Sequence, residues 1–352
     1  MFKRSANTDP ETPSAAEPAP GRFPLIRVLA VLIGLVLIAA AVWAILANRA
    51  QLDQALVALA GAEWYVLGLI VLLPGVNWIC TSATVGVLTG RYARVPMREM
   101  LPLIGSAWLL NMLPMRLGMI GRVAYHKKYH GMRVRDCAKV MAQAIACSIL
   151  ALSLLVLVVL VASEMSSRAK QAGADDPGSW RVLAQWGLSP LLVLVVVCVA
   201  ARARVERAGS FWRWPAAVLF RYLDMCLWFV RYWLVFAAIG HPITPVRAAS
   251  VTVSAQAAMV TPVQFGLREW AVGLTAVGSE VEQAAPRDDG GRVRGVVRDA
   301  TVGLVADACM RAAELCVIIP VGGLSTLWVM RSMRKGTKPQ RSPQPAHSPR
   351  SS

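Results

Sequence analysis

The chain has 352 residues, 56% of them apolar or aromatic and 16% charged, with a mean hydropathy of +0.51. A soluble domain is about half apolar and about a quarter charged, so this balance excludes an ordinary set of soluble domains, and disorder for most of the chain. The net charge of +17, from 37 basic against 20 acidic residues, fits loops held at an anionic, cytoplasmic membrane face better than a nucleic-acid partner.

In chain order, residues 1–24 are rich in Pro, Ala, Ser and Thr and read as a disordered cytoplasmic tail. Val28 to Leu46 is 19 residues without a charge, enough to cross a hydrocarbon core of about 30 Å. It is too long for the apolar region of a signal peptide, about 7–15 residues. Further crossings are expected at Trp64 to Gly90, interrupted by Pro74 and Asn77, at Val140 to Ser163 and at Val182 to Ala201. Two more carry charges: Trp214 to Gly240, with Arg221, Asp224 and Arg231, and Ala300 to Met330, with Asp307, Arg311 and Glu314. Residues 331–352 form a basic, disordered cytoplasmic tail.

Two apolar stretches differ. Met100 to Met115 ends at Pro114 and is short for a crossing; Ala248 to Leu267 is broken at Pro262 and Gly266 and runs into a second piece, Trp270 to Ser279. Both read as broken or re-entrant helices, which survive at membrane depth only against protein or a wet cavity.

Lys and Arg counts orient these segments. Segment 116–139 holds seven basic residues, loop 202–213 four and the C-terminal tail six, whereas loops 47–63 and 241–247 hold one each. The expected fold is an all-α polytopic membrane protein with both termini cytoplasmic. It has about six full transmembrane helices plus two broken or re-entrant helical hairpins. The halves, 25–163 and 182–330, then form an inverted repeat, a transporter plan, within one membrane domain spanning 25–330. The alternative is eight ordinary spans without symmetry.

An ionisable group at mid-membrane costs at least about 2.5–3.5 kcal/mol, so each needs a partner or a wet cavity. Asp307, Arg311 and Glu314 share one helix face, with Arg311 able to pair with either acid. Arg116 and Arg122 flank Gly118 after the first break, and Arg268 and Glu269 follow Gly266 after the second. These residues point to a polar cavity, basic near the breaks. Arginine suits phosphate through its planar fork, and broken-helix N-termini add N–H donors. Arg221 and Arg231 read instead as pairing with neighbours, Asp224 among them, or snorkelling to the interface.

The stretch Asn111-Met-Leu-Pro114-Met-Arg116-Leu-Gly118-Met-Ile-Gly-Arg122 resembles the Asn…Pro-Gly-Arg-x-Gly-Glu-x-x-Arg stretch of the lysylphosphatidylglycerol synthase transmembrane, or flippase-like domain, family. Thr261-Pro262-Val-Gln-Phe-Gly266-Leu-Arg268-Glu269 resembles that family's Pro…Gly-x-Arg-Glu stretch, and Arg311 resembles an arginine of its last span. Two departures stand out: the first motif's glutamate falls on Met119, and a carboxylate common in the following span falls on Gln143. The resemblance implies a bacterial-type inner-membrane protein that binds and moves an anionic lipid or polyprenyl-phosphate-linked headgroup. Arg116, Arg122, Arg268, Glu269 and Arg311 would line the site, Pro114, Gly118, Pro262 and Gly266 would form the breaks, and Asp224, Asp307 and Glu314 would support it. The soluble aminoacyl-transferase domain of bifunctional relatives is not expected, since the chain ends about 20 residues after the last span. An alternative is a non-transporting accessory subunit of a lipid- or glycan-synthesis enzyme.

No enzymatic chemistry is expected. There is no Gly-x-x-x-x-Gly-Lys loop, and the seven scattered cysteines define no disulfide framework. His126 and His130 stand at i, i+4 and could pair on a metal or haem, but Lys127 and Lys128 between them favour a lipid-facing basic patch. No cofactor, metal or nucleic acid is expected.

Overall fold

The computed structural model describes residues 23–112, 117–171, 193–196, 199, 212–261, 266–276 and 289–334. The described residues are almost all helical and contain no strand. The helices are α1 (Phe23–Ala47), α2 (Arg49–Ala60), α3 (Trp64–Thr89), α4 (Met97–Asn111), α5 (Leu117–His130), α6 (Val134–Gln171), α7 (Arg213–Ala238), α8 (Pro245–Val260), α9 (Leu267–Ala276) and α10 (Asp289–Arg334).

Helices α3 (Trp64–Thr89) and α6 (over Val134–Arg168) are long and apolar enough to cross a membrane. A third candidate is the bent pair Leu35–Ala47 and Leu52–Ala60, angled by 80°. Large apolar side chains point outward along these helices, among them Val36, Trp43, Leu72, Ile149 and Leu157, all at least half exposed. Such an outer surface fits hydrocarbon rather than water. These are the features of a membrane protein.

Several expected boundaries move. Residues 49–60, expected as loop, form α2, whose Ala55 is buried while Leu52 and Leu59 pack on the core. Helix α3 runs through Pro74 without ending, and α10 likewise through Pro320. Helix α6 takes in residues expected in the flanking loops, and α10 begins at Asp289, well before Ala300. Helical hydrogen bonding is local and continues through polar residues of adequate propensity, so apolar runs mark spans but not helix ends. The expected span Val182 to Ala201 lies outside the described residues except for 193–196 and 199.

Around the two expected breaks, α4 ends at Asn111 and α5 begins at Leu117, and α8 ends at Val260 and α9 begins at Leu267. Helix α4 packs against α5, and α8 against α9. Pro114, Arg116 and Pro262 lie outside the described residues. Gly266 has φ 83°, a left-handed geometry that a side chain disfavours, and its carbonyl accepts from Trp270 N–H at 3.1 Å as α9 begins. Thr244 caps α8, with Pro245 in its first turn.

The longest helix, α10, organises the interior. Its first half crosses α9 where Gly303 meets Gly273: a Cβ on Gly303 would stand 2.7 Å from the Gly273 Cα. Its second half crosses α4 where Gly322 meets Gly105, with a Cβ on Gly322 3.2 Å from the Gly105 carbonyl oxygen. Small residues let helix backbones approach and gain dispersion contacts, the main source of helix association where no hydrophobic effect operates. One apolar core gathers around Tyr222, Met225, Tyr232, Phe236, Val272 and Met310, from α7, α9 and α10. A second gathers around Leu88, Met100, Ile104, Tyr125, Val140 and Cys147, from α3 to α6.

Candidate functional site

Inside the first core lies a cluster of charges. Arg268, at the start of α9, is fully buried. Its Nε donates to Asp307 Oδ1 at 3.0 Å, and its Nη1 and Nη2 donate to the two Glu314 oxygens at 3.3 Å each. Both acids come from α10, seven residues and two turns apart on one face. The Tyr232 hydroxyl donates to the same Asp307 oxygen at 2.8 Å. Glu314 also faces Arg231 Nη2 at 3.5 Å and Arg311 Nη1 at 3.6 Å, while Arg311 Nε reaches Glu269 at 3.5 Å. The Trp228 ring takes the Arg231 and Arg268 guanidiniums at 5.0 and 4.9 Å from its centroid.

Three arginines and three carboxylates therefore balance. The cluster nevertheless keeps spare polar capacity, since Asp307 Oδ2, Glu269 Oε2 and Arg231 Nε are buried and make no hydrogen bond. Beside it on α7, Asp224 forms a close ion pair with Arg221 and accepts from Asn77 Nδ2 at 2.7 Å. Arg221 Nε also donates to Ser148 Oγ at 2.7 Å.

Arg268, Glu269, Arg311, Asp307 and Glu314 are thus brought together, with one change of partner. Arg311 pairs with Glu314, one of the two acids expected for it, and also with Glu269, while Arg268 holds Asp307. Arg231, expected to pair locally or snorkel, is 1% exposed and faces Glu314 across the helix boundary. Sequence reading missed Arg231, Trp228 and Tyr232 as members of this site. The available signal was spacing: Asp224 and Arg231 stand two turns apart on one face, which a purely lipid-facing helix would not carry.

Arg122 and Gly118 lie elsewhere. Gly118 abuts the Ala107 carbonyl, so α5 presses on α4 with no room for a side chain. Arg122 lines a small cavity with Thr89, His126 and Cys137. His126 is 3% exposed, so it is not the lipid-facing residue expected, whereas its neighbours Lys127 and Lys128 are exposed. Amphipathic winding places consecutive residues on different faces, and the lysines alone take the outer one. His130 and Tyr125 instead hold Glu99, at 2.9 and 2.8 Å. Among the described residues no three His, Cys, Asp or Glu side chains are placed to hold a metal ion.

Helix α5 is short and polar and lies outside the apolar spans. Burial, then His130 and Arg122, push the His126 imidazole down to about 4, against a smaller opposite effect of Glu99. Between that value and the ordinary 6.5 the unfolded chain binds more protons, so stability falls as pH falls through this window. The expected loss is about 2 kcal/mol between pH 7 and pH 5, read by melting in mild detergent, and is absent in His126→Phe. Glu99 does not confuse the reading. His130, chiefly, holds its carboxyl below the usual range, so its contribution persists until lower pH.

Comparison with protein-family models, curated proteins and solved structures finds no match for this chain.

Proposed function

We propose that the chain is a flippase-like membrane protein that binds an anionic lipid or polyprenyl-phosphate-linked headgroup and moves it across a bacterial-type inner membrane. In this reading the helices form about six spans and two broken hairpins in an inverted repeat, with both termini cytoplasmic. The supporting observation is the charge-balanced cluster of Arg231, Arg268 and Arg311 with Asp307, Glu314 and Glu269 at the start of α9. A buried ionic cluster adds little stability over a well-packed apolar core, so its presence calls for a function.

The carboxylates hold the guanidiniums much as phosphate oxygens would. In the proposed mechanism α9 moves against α10, Glu314 releases one or more arginines, and a phosphate takes its place. The planar guanidinium fork fits either acceptor. An apolar groove between α6 and α8, lined by Val156, Leu160, Val246 and Val253, would carry the lipid tail outside the cluster.

Liposomes reconstituted with the protein and a labelled anionic lipid test this reading. Arg311→Gln, at a partly exposed position, is expected to slow movement at least tenfold while the protein still melts cooperatively. Unchanged movement would refute the site. The closed, charge-balanced state also favours a second reading, an accessory subunit docking a lipid- or glycan-synthesis enzyme. That reading is selected if wild-type protein moves no lipid yet co-purifies with one such synthase.

A further inference from the structure

The cavity at Arg122 is separate from the charge cluster and makes its own chemical demand. It lies between the end of α3, the middle of α5 and the start of α6, and it leaves the centre of a water-sized sphere about 10 Å³ of free space, room for one particle of that size or slightly larger. Neither ring nitrogen of His126, which lines it, has a hydrogen-bond partner, although the residue is buried. A buried polar group without a partner costs about 1–3 kcal/mol, so such groups in native proteins have one. Arg122, on the same wall, forms no ion pair with any described residue. The nearest carboxylate on α4, Glu99, is taken by His130 and Tyr125.

We infer that this cavity is a binding site for one monatomic anion of the chloride class, with Arg122 as its counter-charge and the His126 ring N–H as a donor. A cation is excluded by the guanidinium and by the lack of a free acid on the wall. A water molecule would serve His126 but give the guanidinium of Arg122, a partly exposed residue, no counter-charge inside the cavity. Phosphate is too large for the space. Exposed Lys127, Lys128, Arg133 and Arg135 flank the site in sequence and would raise the local anion concentration. The bound ion would tie α5 to α3 and α6, and this assignment does not depend on lipid transport.

The groups facing His126 are Arg122 and His130 of α5, Glu99 of α4 and Cys137 of α6. Against them a bound halide favours the protonated ring, so acid-induced loss of stability should be smaller in chloride than in gluconate.

The test is melting of the purified full chain in mild detergent, in potassium chloride, bromide, gluconate or phosphate at equal ionic strength. Chloride and bromide are expected to raise Tm saturably, by about 3 °C at ten times the dissociation constant, with phosphate matching gluconate. Arg122→Gln and His126→Phe should each abolish the halide effect. Equal Tm in all four salts, or a halide effect that survives Arg122→Gln, would overturn the site. Should either variant fail to fold, wild-type crystals grown in bromide decide the matter. An anomalous bromide peak between Arg122 and His126 supports the site, and an ordered water or nothing there overturns it.

Discussion

Arg268→Ala is expected to lower the stability of the detergent-solubilised protein by about 3–5 kcal/mol. The residue is fully buried and, among the described residues, is the one that bonds both Asp307 and Glu314. Its removal strands Asp307 inside the helix bundle, away from water, and leaves Glu314 only its longer contacts with Arg231 and Arg311. The loss comes from the stranded acid more than from the bonds themselves. The double variant Arg268→Met with Asp307→Asn should therefore be more stable than Arg268→Ala, since one stranded charge is gone and the volume is refilled. Melting curves of the three proteins check this. A double variant no better than the single one would mean that packing, and not charge, sets the cost.

The second large effect concerns backbone contact. Gly303→Val is expected to destabilise by about 3 kcal/mol and to disorganise the charge cluster. A Cβ there would meet the Gly273 Cα at 2.7 Å, the Ala276 Cβ at 2.8 Å and the Val272 carbonyl oxygen at 3.0 Å. Backbone atoms cannot rotate aside, so α9 and α10 must separate, and they carry Arg268 and Glu269 on one side and Asp307, Arg311 and Glu314 on the other. Gly323 lies on the same helix with nothing within 4 Å of its Cβ position. Gly323→Val should accordingly melt within about 1 kcal/mol of wild type. If the two variants behave alike, helix propensity rather than close approach explains the loss.

The membrane character was legible at once. Runs such as Trp64–Thr89 and the apolar part of α6 show themselves in one dimension, because transfer into hydrocarbon depends on composition over about 20 residues. Helix ends were less legible: α2 rests on local hydrogen bonding and cover from neighbours, and α10 starts well before its apolar run, neither of which an apolar count registers. The charged face of α10 was also readable, since the i, i+4 and i+7 positions of Asp307, Arg311 and Glu314 must share one side. Which charges meet was not. Arg268 takes Asp307 ahead of Arg311 because the Gly273–Gly303 contact brings α9 against that stretch of α10.

His126 and Arg231 mark the same limit from two sides. Each sits in a stretch whose composition reads as an exposed basic face or a local pair, and each is buried by the turn of its helix toward a neighbour. The sequence by itself determined that this is a helical, membrane-type chain, that its bulk charge is basic, and that a few ionisable residues stand where hydrocarbon would reject them. Only the tertiary structure decided that Arg231, Arg268 and Arg311 share three carboxylates while Arg122 stands apart beside His126. Pairing energies depend on distance and burial between helices far apart in the chain, and those are set by where small residues let the backbones touch.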